Sequence, residues 1–300
     1  MDDGAQLELS SSPTRLRVGG SYRYGAVLGN VLVLWCGAAS LAAGAVVMAV
    51  FASRGKATSP LAAMGQLRLP GWLWNVYLPL LQPTVASAVA IAASSSATPL
   101  GAVCAAVGLA ACVAPCAAAA LLATRWFAAT PQRSRESATE VSSFVALRLW
   151  RRLVREETAY ADAVRGSEFV RRYGALFARY RGGRHWFVAV EAVHQVLLGV
   201  VRGTVGVAAL GGSCAAPVGA AVAVAAAMLA AVALLRPYNT LLEACVGNAE
   251  LALLLLGCVL ILSVGGAATA RFLEAEMCVG IVAELICSLR ASAAGGGAAL

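Results

Sequence analysis

The chain has little charge for its length. Only 13% of its 300 residues are charged, whereas 60% are hydrophobic. A soluble globular chain carries about 25% charged residues to cover its surface. Lysine occurs once, at Lys56, and the excess of arginine, alanine, glycine and valine is typical of a GC-rich coding sequence. With only two histidines, His185 and His194, the chain is poorly equipped for histidine–carboxylate catalysis.

The sequence also lacks the short motifs of common catalytic and metal sites. It contains no G-x-x-x-x-G-K-[ST], no H-E-x-x-H and no G-x-S-x-G. Its nine cysteines include no C-x-x-C pair, and most of them fall inside apolar stretches. We therefore expect buried thiols instead of zinc ligands or a disulfide framework. The chain is predicted to be no enzyme and to hold no cofactor or metal.

Long uncharged apolar stretches are abundant. Ala26–Ala52 carries no charge across 27 positions, and Leu100–Ala123 carries none across 24. About 20 helical residues cross a bilayer core of about 30 Å. We predict an all-α, polytopic transmembrane helix bundle of about six spans, at Ala26–Ala52, about Trp72–Ala93, Leu100–Ala123, Trp186–Leu210, about Ala215–Leu235 and about Leu241–Ala268.

The spans divide the chain into five predicted segments. These are a non-cytoplasmic N-terminal segment at 1–25, three spans at 26–123, a basic cytoplasmic helical loop at 124–185, three spans at 186–268, and an interfacial segment with an Ala/Gly-rich tail at 269–300.

The distribution of arginine predicts the orientation. Thr124–His185 holds 13 arginines against six acidic residues, and cytoplasmic loops retain Lys and Arg. With this loop inside, 17 basic residues face the cytoplasm and five face outward. We therefore expect an integral membrane protein, at the cell surface, with a non-cytoplasmic N-terminus. An ectodomain upstream in a longer form, or a homo-oligomer, fits this topology.

The basic loop is predicted to form amphipathic helices on the membrane surface. Aromatic and aliphatic residues alternate at helical spacing with arginines, and arginine near anionic lipid contributes about 1 kcal/mol. The expected partners are the bilayer and its anionic headgroups, in preference to nucleic acid, because the loop is tethered to the membrane. The predicted membrane-surface contacts are Arg148, Arg151, Arg152, Arg155, Arg171, Arg172 and Arg179.

The fourth span concentrates ionisable residues. Glu191, His194 and Arg202 share one helical face, which should point into the bundle because unpaired charge in hydrocarbon costs several kcal/mol. Glu250 in the sixth span lies at a depth similar to that of His194, so these two side chains could pair. Two interpretations stay open, an ion or proton path and a structural clamp.

One stretch resembles known membrane proteins. Its residues are Tyr173-Gly174-Ala175-Leu176-Phe177, then Tyr180-Arg181 and Arg184-His185-Trp186-Phe187 before the helix of Glu191, then Leu235-Arg236-Pro237-Tyr238 and Asn248. This order resembles the C-terminal membrane region of the dispersed gene family surface proteins of trypanosomes. A more distant likeness is to the TRP-like channel proteins of fungi and protists.

The resemblance implies surface location, a β-rich ectodomain upstream and, through the channel-like relatives, ion permeation. The leading hypothesis is a non-catalytic, multi-pass membrane-anchoring domain, and the alternative is a TRP-like ion channel or transporter subunit. The residues that carry the resemblance also suit the inner membrane interface, where amphipathic rings and helix-ending residues collect. The predicted interface markers are Tyr180, Trp186, Arg236, Pro237 and Tyr238.

Overall fold

The structure, a computed structural model, describes residues 18, 22–52, 65, 68–94, 98–133, 153, 157–164, 168–208 and 215–263. Helices dominate them, and one pair of short strands lies between the third and fourth helices in sequence. The elements are α1 (Tyr22–Ala52), α2 (Gly71–Ala93), α3 (Pro99–Thr124), β1 (Ala129–Arg133), β2 (Thr158–Asp162), α4 (Phe169–Phe177), α5 (Phe187–Ala208), α6 (Ala215–Leu235) and α7 (Leu241–Ser263).

The prediction of an all-α membrane bundle with roughly six spans is confirmed. Within the described residues, five helices are long and apolar enough to cross a bilayer, and a shorter apolar helix covers Tyr77–Ala93. The five are Tyr22–Gly44, Pro99–Thr124, Phe187–Thr204, Ala216–Leu235 and Leu241–Val259. The chain is therefore an integral membrane protein. The predicted segment 269–300, and most of 1–25, lie outside the described residues.

Helix α2 lies at the centre of the bundle. It packs against α1, α3 and α5, while α6 joins α5 to α7. Its side chains Leu81, Val85 and Ala88 have no solvent exposure. The outer helices instead expose large apolar side chains, among them Leu234, which is 83% exposed. In a membrane protein such side chains face lipid, so α2 is the spanning helix with the least lipid contact.

Glycines bring α5 close to α2. A Cβ atom at Gly199 would lie 2.8 Å from Cβ of Val85 and 2.9 Å from the Gln82 carbonyl oxygen. Gly203 follows one turn later, on the same face of α5. Small residues four apart allow helix backbones to approach in membranes, where dispersion and not water drives association. This G-x-x-x-G pair therefore sets the position of α5.

The segment between the third and fourth spans was predicted to be helical. The structure shows that it is not wholly helical. β1 pairs antiparallel with β2, with Ala129 opposite Asp162 and Arg133 opposite Thr158. Since a strand acquires its hydrogen bonds from a partner distant in sequence, local helical spacing could not reveal it. Four of the predicted lipid contacts lie outside the described residues: Arg148, Arg151, Arg152 and Arg155.

Helix α4 covers the end of the bundle with its apolar face. Phe169, Leu176 and Phe177 are buried in the same core cluster as Trp74 and Tyr77 of α2. The apolar face that was predicted to lie on the bilayer surface is therefore covered by protein. Arg171 is exposed on α4, and Arg172 forms an ion pair with Glu168 at 3.2 Å. Lipid contact by these arginines stays a prediction.

Aromatic rings join the strands to α4. Phe127 makes edge contacts with Phe169 and Phe177 at centroid distances of 5.8 Å and 4.9 Å. It also stacks on His185 at 3.6 Å with an interplanar angle of 1°. Tyr160 of β2 packs against Phe177 at 5.0 Å. These contacts make β1, β2 and α4 one unit, called the extramembrane layer below.

Candidate functional site

Three segments meet at the membrane-facing side of the extramembrane layer. They are the turn after α4, the start of α5 and the linker between α6 and α7. Tyr180 and Tyr238 form an isolated antiparallel bridge, in which the Arg181 amide donates to the Pro237 carbonyl at 2.7 Å. α6 ends at Leu235, and Arg236 takes a left-handed φ of 44°. The predicted helix end at Arg236-Pro237 thus turns the chain towards Tyr180.

Glu191 lies at the centre of this convergence. The hydroxyl of Tyr180 donates to its Oε2 at 2.7 Å, and the hydroxyl of Tyr238 donates to its Oε1 at 2.8 Å. Nη1 of Arg179 lies 3.6 Å from Oε2. Glu191 is only 6% exposed, so these partners replace its hydration. We call Glu191, Tyr180, Tyr238 and Arg179 the tyrosine–carboxylate cluster.

The electrostatics of the cluster keep both tyrosines protonated. Burial, and next the negative charge of Glu191, raise the pKa of Tyr180 and of Tyr238 well above the ordinary value, while Arg179 acts in the opposite direction. The Arg179 guanidinium carbon lies 5.9 Å from the Tyr180 ring centroid and 5.8 Å from that of Tyr238. Both hydroxyls are therefore permanent donors, held beneath one cation.

Asn239 connects the cluster to the strands. Its Oδ1 accepts from the Thr158 amide at 2.8 Å and from the Thr158 hydroxyl at 2.9 Å. Its Nδ2 donates to the carbonyls of Thr158 at 2.7 Å and Ala178 at 3.2 Å. Asn239 is 1% exposed, so all its polar capacity is used inside the protein. The α6–α7 linker is thereby fixed to β2 and to the turn after α4.

Tyr160 adds a further connection from β2. Its hydroxyl is shared between the carbonyls of Tyr180 at 3.0 Å and Arg181 at 2.8 Å. Arg181 also forms an ion pair with Glu157. The backbone around Tyr180 is thus held from the strand side, while its hydroxyl is held by Glu191.

The other predicted polar residues are not among the four residues of this cluster. His194 is 9% exposed, and its Nε2 has no hydrogen-bond partner in the described part of the chain. The pairing of His194 with Glu250 stays a prediction. Glu250 acts on Tyr238, raising the pKa of that hydroxyl. The depth of Glu250 was foreseeable, but the rotation of α7 about its axis was not. Arg202 lies half-buried farther along α5.

Three of the predicted interface markers make specific contacts, and the position of all five at the membrane interface stays a prediction. The hydroxyls of Tyr180 and Tyr238 donate hydrogen bonds to Glu191, and the carbonyl of Pro237 accepts a hydrogen bond from a backbone amide. Trp186 is half-buried, with its ring 6.0 Å from that of Phe187. Asn239 was not predicted as a site residue, although it directly follows the Arg-Pro-Tyr stretch that was singled out in the sequence. Arg179 was predicted to contact lipid, yet it lies beside Glu191.

The cluster can bury a charge and hold three segments, but it offers no evident nucleophile. Across the ranges that the structure describes, no three His, Cys, Asp or Glu side chains are grouped so as to hold a metal ion. No family profile, curated protein or solved structure matches this chain.

Proposed function

We propose that this chain is the multi-pass, non-catalytic membrane-anchoring part of a cell-surface protein. The observation that supports the proposal most directly is that both carboxylate oxygens of Glu191 already have partners. Both of its oxygens accept tyrosine hydroxyls, and Arg179 supplies the neutralising charge. A buried carboxylate with such partners suits a structural clamp better than an ion-binding or catalytic role.

Two sequence features support the orientation and the surface location in this proposal. The bias of basic residues towards Thr124–His185 favours a cytoplasmic extramembrane layer and an outward N-terminus. The residues around Tyr173–Asn248 resemble the membrane region of trypanosome surface proteins. In this proposal the clamp holds the cytoplasmic layer to the spans, and the ectodomain that the spans anchor lies on the opposite side of the membrane.

The size and exposure of the native protein test the anchor function. An antibody against Arg133–Thr139 is applied to blotted membranes of the source cell, before and after labelling of intact cells with a membrane-impermeant biotin reagent. A biotinylated band well above the size of a 300-residue chain is expected. A band of that size, or one that biotin does not reach, would remove the anchor hypothesis. A cytosolic protein serves as the control for cell integrity.

Anionic lipid is the proposed partner of the extramembrane layer. Arg171 and Arg236 are exposed, and juxtamembrane arginines attract anionic headgroups. The purified protein is reconstituted in nanodiscs with and without phosphatidylserine. Greater thermal stability with phosphatidylserine, lost in the Arg171→Gln/Arg236→Gln variant, is expected. Equal stability in both lipids would contradict the partner.

A channel or transporter subunit is the second candidate, and one observation favours it. His194 lies buried inside a span, and its Nε2 has no hydrogen-bond partner in the described residues. Ionisable groups at such depth mark ion or proton paths in many membrane proteins. Flux of protons and monovalent cations into liposomes is compared for the wild type and the variants Glu191→Gln, His194→Gln and Arg202→Gln. Lower flux at normal abundance supports a path, whereas lower abundance alone supports the clamp.

A further inference from the structure

Two large apolar side chains beside the strands are exposed in the part of the chain that the structure describes. Trp126 is 63% exposed and Val164 is 64% exposed. The residue next to Trp126 behaves differently, because the Phe127 ring packs against Phe177 and stacks on His185. The aromatic contacts that hold the extramembrane layer together therefore leave Trp126 largely uncovered.

The pairing of the strands brings these two side chains to the same end of the β1–β2 pair. Beyond the last paired residues of the strands, the Ala163 amide donates to the Ala128 carbonyl at 2.9 Å. Val164 follows this bond by one position, and Trp126 precedes it by two. We call Trp126 and Val164 together the ribbon end.

The ribbon end lies directly beyond a membrane span. α3 ends at Thr124, and the Trp126 amide still donates to the Leu121 carbonyl in its last turn at 3.2 Å. Leu121 is itself exposed, on a helix that is apolar enough to cross a bilayer. Because two residues of backbone extend by about 7 Å at most, Trp126 stays at the boundary of the span. The lipid-facing surface of α3 thus continues to the ribbon end.

The residue types at this position suit the headgroup region of a bilayer. Tryptophan collects at membrane interfaces, which accommodate both its apolar ring and its N–H donor. Arg125, which is exposed between α3 and Trp126, can lay its stem along lipid and extend its guanidinium to phosphate. A protein partner is less suited, since a stable interface covers about 800 Å² on each side and one tryptophan buries about 250 Å² at most.

We propose that the ribbon end inserts into the bilayer interface beside α3 and binds lipid there through its apolar surface. The extramembrane layer then has two attachments, one to the spans through the tyrosine–carboxylate cluster and one to lipid through the ribbon end. The second attachment is apolar, so it needs no anionic headgroup and is not screened by salt. It is independent of the anchor function and of the side of the membrane on which the layer lies.

Fluorine NMR of the full chain in phosphatidylcholine nanodiscs tests the insertion. The protein is labelled with 5-fluorotryptophan, and the Trp126 signal is identified as the one that Trp126→Phe removes. Its broadening is measured with phosphatidylcholine that carries a nitroxide near the headgroup, and separately with a water-soluble gadolinium chelate. The lipid nitroxide should broaden this signal strongly and the chelate only weakly. Trp74, which is 5% exposed, gives the reference signal of a ring covered by protein.

Val164→Glu and Ala159→Glu are the matched variants. Both put a carboxylate at an exposed position of the same segment, but Ala159 lies at the other end of the strands, opposite Gln132. Val164→Glu should lower the broadening of the Trp126 signal by lipid by about half or more, because a carboxylate is costly to remove from water. Ala159→Glu should leave this broadening unchanged. Equal effects of the two variants would overturn the proposal.

Two further outcomes would also overturn it. Broadening of the Trp126 signal by the chelate alone would show that the ribbon end lies in water. Broadening by neither reagent would show that a second copy or another part of the protein covers it. If Val164→Glu does not fold, Val164→Ser is compared with Ala159→Ser, and the same direction is expected. Because the lipid is neutral, failure of the anionic-lipid or anchor proposals would leave these results unchanged.

Discussion

Gly203 of α5 lies against the backbone of Ala86 in α2, so close that a Cβ atom on Gly203 would be 2.6 Å from the Ala86 carbonyl oxygen. Backbone atoms cannot move aside as the end of a flexible side chain can. The contact between the central helix and the helix of Glu191 therefore depends on a missing side chain.

We expect Gly203→Val to destabilise the bundle by about 1–3 kcal/mol, because the added side chain separates α5 from α2. Gly219→Val in α6 is the control, since nothing lies within 4 Å of a Cβ there. Both changes alter helix propensity equally, so their difference isolates the packing effect. Thermal unfolding in detergent, followed by size-exclusion chromatography, gives the comparison. Equal unfolding midpoints for the two variants would show that the close approach of α5 to α2 contributes nothing to stability.

Removal of one tyrosine hydroxyl from the cluster should be costly. Tyr238→Phe leaves Oε1 of Glu191 without its donor, and hydrogen bonds to charged groups contribute about 1.5–3 kcal/mol. Tyr173→Phe is the matched control, because Tyr173 is a half-buried tyrosine of α4 that does not belong to the cluster. The midpoint of thermal unfolding measures both. In a Glu191→Leu background the effect of Tyr238→Phe should disappear, and a persisting loss would contradict the pairing.

Asn239 should control the attachment of β2. In Asn239→Ala the amides of Thr158 and Gly182 are expected to exchange hydrogen faster by about tenfold or more, because Asn239 holds Thr158, whose hydroxyl accepts from Gly182 at 3.0 Å. Hydrogen–deuterium exchange with mass spectrometry measures this. Asn75→Ala, at a half-buried position in α2, should leave these amides unchanged. Unchanged exchange in Asn239→Ala would show that β2 is held by other contacts.

His185 should make stability depend on pH. Burial lowers the pKa of His185, and its bond to the Ala123 carbonyl opposes this only in part. Because the unfolded value of about 6.5 is higher, the unfolded chain binds the proton first as pH falls. The stabilisation is therefore complete above about pH 6.5 and is lost below it. Unfolding midpoints at about pH 7.5 and 5.5 should differ more for the wild type than for His185→Gln; equal differences would exclude His185.

The orientation can be tested by accessibility. An epitope tag inserted in Arg133–Ser137 should be protected in intact cells and become accessible after permeabilisation, since the positive-inside bias predicts a cytoplasmic location for this segment. A tag ahead of Val18 should show the opposite behaviour. Labelling of the Arg133–Ser137 tag from outside would reverse the predicted topology.

The helices were predictable from sequence to within a few residues. Uncharged length alone located α1, α3 and α6, because a span must satisfy its backbone internally and shows as one apolar run. The strands were not predictable, since β2 takes its hydrogen bonds from β1, which lies on the far side of an intervening segment. Helix α2 was placed correctly in the sequence, but its central position in the bundle was not foreseen.

Only part of the candidate site followed from sequence. Glu191 was identified because a carboxylate in a span requires partners. Its partners were sought on its own helix and on α7, where periodicity can be applied, whereas they come from turns at Tyr180 and Tyr238. Turns have no periodic spacing of residues. The sequence therefore does not show that two turns lie close together, and only the three-dimensional structure does. The resemblance had nevertheless singled out both tyrosines.

The separation of the clamp's parts along the chain sets an order of assembly during synthesis. Tyr238 comes 47 positions after Glu191, and Asn239 comes 81 after Thr158. At about 5–20 residues per second, the ribosome delivers the second tyrosine roughly 2–9 s after the carboxylate. Until α6 has been made and the chain has turned at Arg236, Glu191 has only Tyr180 and Arg179. The arrival of the α6–α7 linker therefore completes the clamp and joins early-made and late-made parts of the chain.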